Sequence, residues 1–136
     1  MKIGIVCSKF NDRYTDALLA STLAALDGHQ TTAVRVPGAF EIPLALLRLA
    51  KKKGARWDAL IALGVIWKGQ TDHADLIASQ VAEACMGLSL EFEIPIAFEV
   101  LTVSTEAQAK ERCMGKKLNR GAEAARTALE MAALKI

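Results

Sequence analysis

Apolar and polar positions alternate between two periods along this chain, and the switches between them mark the elements. Lys2–Cys7 (KIGIVC) is a short, β-branched-rich apolar run that predicts a strand, followed by the polar break Ser8–Asp12. Thr15–Asp27 carries apolar residues at helical spacing, with Gly28 placed to end it. Thr31–Val36 predicts a second strand, stopped by Pro37-Gly38, and Glu41–Lys53 a second helix. Pro43 falls in that helix's first turn, where its missing N–H costs little, and Lys51-Lys52-Lys53 would form its last turn and complement the helix dipole. Asp58–Ile66 is almost wholly apolar, as a strand covered on both faces must be. Asp72–Leu90 predicts a long helix whose Ala74, Ala78, Ala82 and Ala84 allow close packing. Ile96–Val103 is a fourth strand, and Thr105–Met114 and Ala122–Leu134 are two closing helices.

Strict alternation of strands and helices predicts an α/β fold: a four-stranded parallel sheet with helices on both faces, a three-layer α/β/α sandwich in one domain spanning residues 1–136. Ligands in such folds bind beyond the carboxyl ends of the strands. That rule puts Ser8–Asn11, Pro37–Glu41, Trp67–His73 and Phe98–Thr102 along one rim.

Composition narrows the function classes. The chain is 136 residues long, 52% apolar and 24% charged. Its mean hydropathy of +0.24 is high for a small soluble monomer and points to apolar surface covered by other subunits. A net charge of +2 is too small to imply a nucleic-acid or membrane partner. No apolar run approaches the ~20 residues of a membrane helix. Cys7, Cys85 and Cys113 form neither a C-x-x-C pair nor a metal-ligand spacing. They read as buried or incidental thiols of a soluble cytoplasmic protein.

Four clusters on or near the rim bear chemistry. Phe10-Asn11 is an aromatic on a polar loop: either a plug for the sheet end or a platform for a planar ring, with Asn11 offering donor and acceptor. Pro37–Glu41 is either an ordinary strand-to-helix turn or a rigid edge where Gly38 admits a ligand close to backbone and Glu41 accepts from hydroxyls. Lys68–His73 opens a long helix, where free N–H groups, Thr71 and Lys68 could cradle a phosphate. It is not a P-loop: Gly64 and Gly69 have the spacing, but Gln70-Thr71 stands in place of Lys-Ser/Thr. His73 is either solvated or a proton carrier; His29, in a helix-exit loop, has no comparable setting. Arg112 and Arg120 flank a basic loop containing Lys116 and Lys117, and arginine is a natural phosphate ligand. Spacing alone does not bring them to His73.

Together these clusters resemble the lumazine synthase family from one end of the chain to the other. The matching blocks are SKFN (Ser8–Asn11), VPGAFEIPLA (Val36–Ala45), ALGVIWKGQTDHADLIA (Ala62–Ala78), IPIAFEVLT (Ile94–Thr102) and NRGAEAARTALEMA (Asn119–Ala132). The resemblance implies a flavodoxin-like sandwich assembled into homopentamers, with sites shared between neighbours; some members build a 60-subunit capsid. It implies condensation of 5-amino-6-ribitylamino-uracil with 3,4-dihydroxy-2-butanone 4-phosphate, releasing phosphate and water, without cofactor or metal. Phe10 would stack on the pyrimidine. Asn11, Ala39, Phe40, Glu41 and the backbone of Ile66, Trp67 and Lys68 would hold the ring and ribityl chain. Gln70 and Thr71, with Arg112 of a neighbouring subunit, would bind the phosphate. His73 would shuttle protons, Phe98 would close the pocket from the neighbour, and Arg120 stands where the family usually has lysine.

The chain departs from the family pattern at several positions. Trp67 replaces a smaller aliphatic and bears on pocket volume; Glu99 replaces a glycine after Phe98; Ala74 replaces an aromatic; Met114 and Leu118 interrupt a glycine-richer loop. Most of an N-terminal extension that pairs with a neighbour's sheet in many members is not matched, which makes pentamers a firmer expectation than a capsid. Two other functions fit the pattern less well: an archaeal-type riboflavin synthase, which the His73–Asp75 segment and Phe40-Glu41 disfavour, and a non-catalytic flavin-binding or cage-forming homologue, which His73 and Arg112 disfavour.

Overall fold

Strands β1 (Lys2–Ser8) and β3 (Ala59–Trp67) form the middle of a four-stranded sheet, with β2 (Gln30–Val36) and β4 (Ile96–Val103) at its edges. The order is β2-β1-β3-β4 and every pairing is parallel. A computed structural model describes all residues, Met1–Ile136. The position of each strand follows from its composition. β1 and β3 are apolar and buried almost end to end, whereas QTTAVRV in β2 leaves most side chains at least partly exposed, as an edge allows.

Five α-helices cover the two faces: α1 (Asp12–Ala25), α2 (Ile42–Ala50), α3 (His73–Phe92), α4 (Glu106–Met114) and α5 (Arg120–Ala133). On one face, α2 and α3 enclose Val6, Leu60, Ala62 and Val100 with Ile42, Leu46 and Val81. On the other, α5 lays Ala124, Ala125 and Ala128 on Ile3, Ile5, Ile61 and Leu63, and α1 and α4 bury Leu18, Val65, Val103 and Cys113. Each fully buried Ile or Leu contributes about 1.5–3 kcal/mol. α5 approaches α1 closely because Gly121 has no Cβ; one there would lie 2.5 Å from the Leu18 carbonyl. This is the expected flavodoxin-like α/β/α sandwich. No helix is long and apolar enough to cross a membrane.

The main differences from the expected elements lie at helix ends. α1 begins at Asp12 rather than Thr15, because its first turn is polar and Asn11 starts it, accepting from the Tyr14 and Thr15 amides. α2 ends at Ala50, so Lys51–Lys53 do not form its last turn. The Trp57 indole Nε1 donates to the Leu49 carbonyl at 2.8 Å, satisfying a terminal acceptor while the chain turns away, and Arg48 is the cation left in the last turn. α5 starts at Arg120 rather than Ala122, because the Asn119 side chain accepts from the Ala122 amide at 3.0 Å. α3 starts at His73 rather than Asp72 and runs on to Phe92.

The chain leaves β1 toward β2, then returns past β1 to β3 and β4. The switch point therefore lies between the carboxyl ends of β1 and β3.

Candidate active site

A cavity of about 550 Å³ opens at that switch point. Phe10 and Asn11 reach it from the turn after β1, Ala39–Glu41 from a 3-10 turn before α2, Ile66 from the end of β3, and His73 from the start of α3. Leu76 and Ile77 complete its apolar wall, and Val65, whose side chain is buried under α1 and α4, borders it where its carbonyl meets Asn11; none of the three was singled out by sequence. The helical period held the signal for two of them, since positions three and four after His73 share its face.

Local bonds fix the rim. The Lys9 amide donates to the Val36 carbonyl at 2.8 Å and the Phe10 amide to Pro37 at 3.0 Å, tying the ends of β1 and β2. The Phe10 ring packs over Gly38 and remains 66% exposed, so it does not plug the core. Glu41 belongs to the 3-10 turn rather than to α2. One of its carboxylate oxygens accepts from the Gly38 amide at 3.1 Å. Ahead of α3, Thr71 Oγ1 accepts from the His73 amide at 3.4 Å, and Gln70, Thr71 and His73 are exposed. The first-turn amides of α3 have no intrahelical acceptors. An exposed imidazole beside free amides and a stacking face can carry out proton transfer on a bound aromatic amine and an anion.

The chain matches the 6,7-dimethyl-8-ribityllumazine synthase family model over residues 1–135. The chain belongs to the 6,7-dimethyl-8-ribityllumazine synthase family. Curated relatives of that name agree across nearly the whole chain. The one from Aquifex aeolicus is 44% identical over 98% of this chain and 89% of its own length. The one from Thermococcus kodakarensis is 42% identical over 98% and 86% respectively.

The other predicted residues of this lumazine synthase family member lie outside the cavity lining. Trp67 follows Ile66 on β3 and so faces the opposite side of the sheet, its ring centroid 5.9 Å from that of Tyr14. The indole therefore does not line this cavity. The Lys68 amide donates to Val103 at 2.8 Å, and its ammonium lies 3.3 Å from the Asp75 carboxylate in the first turn of α3. Phe98 does not sit on the carboxyl rim: it is the third residue of β4, paired with Ala62 in mid-sheet, beside Cys85 and Met86 of α3. Arg112, near the end of α4, bonds weakly to the Gln108 carbonyl at 3.4 Å. Arg120 pairs with Glu123 at 2.9 Å.

Glu99 alternates with Phe98 and faces α5 rather than the cavity. Burial pushes its carboxyl up to about 7, against the attraction of Arg120 and with a smaller contribution from Glu123. The thiols of Cys7, Cys85 and Cys113 are all pushed up to about 11, chiefly by burial, which makes them poor nucleophiles near neutrality. No cluster of three or more His, Cys, Asp or Glu side chains is arranged to hold a metal ion.

Proposed function

We propose that this chain catalyses the formation of 6,7-dimethyl-8-ribityllumazine from 5-amino-6-ribitylamino-uracil and 3,4-dihydroxy-2-butanone 4-phosphate, at sites completed by a neighbouring subunit of a homopentamer. The observation that carries the reading is the cavity at the switch point, which gathers Phe10, Glu41 and His73 while Phe98 and Arg112 of the same chain stand apart from it. The pyrimidine stacks on Phe10, a contact contributing about 0.5–1.5 kcal/mol beyond area burial. Asn11 and Ala39–Glu41 hold the ring and ribityl chain. The Glu41 oxygen not bonded to Gly38 is the one available to a ribityl hydroxyl. Beyond the end of β1, the open edge of β3 at Ile66–Lys68 offers backbone to the ring. Gln70, Thr71 and the α3 amides receive the phosphate, and Arg112 of the neighbour neutralises it; Phe98 and Arg120 of that neighbour close the far side.

The chemistry needs positioning and proton transfer. The primary aromatic amine attacks the ketone and a first water leaves. Phosphate departs by elimination to an enol that becomes a second ketone, and the ribityl-bearing amine closes the ring on that carbonyl with loss of a second water. His73 takes and returns the protons, work that contributes about 10²–10⁴-fold. Holding the two amines against adjacent carbons of the four-carbon substrate supplies the entropic part of the acceleration.

Leu76, Met86 and Leu90 leave an apolar stripe exposed along α3, which supports burial against further copies. The test mixes the two substrates with the protein, follows lumazine by its fluorescence, and weighs the assembly by native mass spectrometry. Lumazine formation by a particle of five subunits, or a multiple of five, is expected. Absence of product overturns the activity, and a fully active monomer overturns the shared site.

A further inference from the structure

Asn11 has a backbone conformation that few residues tolerate. Its φ of 60° and ψ of 48° lie in the left-handed region, and Glu93 is the only other non-glycine residue with positive φ. Asparagine is one of the few side chains that visits this region readily. The side chain then crosses from the turn after β1 to the end of β3, where Nδ2 donates to the Val65 carbonyl at 2.7 Å. A carbonyl only accepts, so the amide must present its NH2 end to β3. The Asn11 carbonyl is also committed, accepting from the Tyr14 and Thr15 amides at 2.9 and 3.1 Å.

The residue immediately before it is Phe10. The Phe10 amide is held by the Pro37 carbonyl, and its ring lies so close to Gly38 that a Cβ there would stand 2.7 Å from it. The stacking ring is thus clamped between a left-handed turn locked to β3 and a side-chain-free position after β2. Without the Asn11–Val65 bond the turn loses this tie to β3, and the ring is positioned from the β2 side through the Phe10 amide alone. We infer that Asn11 is a positioning residue that acts through Phe10 by locking the β1–α1 turn to β3, rather than a residue whose main contribution is its own contact with substrate. This inference rests on the reading of the cavity given above.

The test is a double-mutant cycle read by equilibrium binding of 6,7-dimethyl-8-ribityllumazine, followed by fluorescence, on the assembled protein. Asn11→Gly tolerates the left-handed backbone, so the fold is preserved, and removes the bond to Val65 together with the rest of the side chain. Asn11→Asp keeps the side-chain length but places a carboxylate against the carbonyl. Each should weaken binding by about threefold to tenfold, the range of one hydrogen bond. In steady-state kinetics the KM of the pyrimidine should rise while the KM of the butanone phosphate stays put, a split that general loosening would not produce. In the Phe10→Ala background, Asn11→Gly should add less than about twofold, because the ring it positions is gone. An equal loss from Asn11→Gly with and without Phe10 would overturn the proposal and make Asn11 a direct contact. A wild-type protein that binds no ribityllumazine would instead overturn the reading of the cavity, and the proposal with it.

Discussion

Replacing Glu99 by glutamine should change how stability varies with pH. Glu99 lies on β4 between Ala97, which packs on the alanines of α5, and Leu101, which packs toward α4. Burial in that strip raises its carboxyl from 4.5 to about 7. Below pH 4.5 the group is protonated in both folded and unfolded chains and exerts no pH dependence. Between 4.5 and about 7 only the unfolded chain has released the proton, so stability falls as pH rises. Above about 7 both states are ionised and the penalty is constant. At about 1.4 kcal/mol per pH unit this interval sets a ceiling of about 3 kcal/mol, and partial exposure to solvent reduces it to about 1–2 kcal/mol. Glu99→Gln should therefore match wild type near pH 4 and exceed it by that amount at pH 8. The assay is urea unfolding at a series of pH values at one fixed protein concentration, because the proposed assembly would make stability concentration-dependent. A difference between the two proteins that does not grow from pH 4 to 8 would refute the placement of Glu99 against α5 as an unfavourably buried acid.

His73→Ala should lower kcat by about 10²–10⁴-fold while both substrates still bind; an unchanged kcat would make the imidazole structural. Arg112→Ala should chiefly raise the KM of the butanone phosphate, by the ~1.5–3 kcal/mol of a charge-assisted contact, and equal weakening of both substrates would remove Arg112 as the phosphate ligand. Gly38→Ala tests the ring clamp, because Gly38 has an extended backbone that alanine adopts without strain, while the added methyl displaces the Phe10 ring and only lightly crowds the Glu41 carboxylate at 3.1 Å. It should weaken ribityllumazine binding by about the 0.5–1.5 kcal/mol of the stacking contact with little loss of stability, and unaltered affinity in a fluorescence titration would refute the clamp.

What sequence conveyed, and what it did not, divides by the range of the interactions involved. The run Asp58–Ile66 announced a doubly covered strand, observed over Ala59–Trp67, because burial on both faces demands apolar residues in succession. The rim residues Phe10, Ala39–Glu41 and His73 were legible because strand ends can be located from composition, and the switch-point rule then applies. Helix ends were less legible, since the bond that closes α2 comes from Trp57, outside the helix. The orientation of Trp67 and the height of Phe98 depend on strand register. Alternation along β3 places Ile66 and Trp67 on opposite faces, but which face carries the cavity depends on where α2 and α3 pack. Phe98 reads as a rim residue only until β4 is paired with β3, whose Ala62 lies opposite it in mid-sheet.

A site shared between subunits makes a prediction that a self-contained one cannot. His73 and Arg112 occupy separate places on one protomer, His73 at the cavity and Arg112 on α4. In the homopentamer proposed above, with heterologous interfaces, each site would take its histidine from one subunit and its arginine from the next. His73→Ala and Arg112→Ala proteins, unfolded together and refolded as an equal mixture, should therefore regain activity. A subunit with Arg112→Ala still offers an intact His73, and a following subunit with His73→Ala still offers an intact Arg112. Random placement puts that ordered pair at about one interface in four, so with butanone phosphate held well below the raised KM of Arg112→Ala the mixed assembly should approach about a quarter of the wild-type rate. Each variant refolded alone should stay at its own residual rate, and native mass spectrometry with one variant isotope-labelled should verify that the subunits mixed. Mixed rings whose activity merely averages the two variants would place His73 and Arg112 in the same subunit's site, or remove one of them from catalysis altogether.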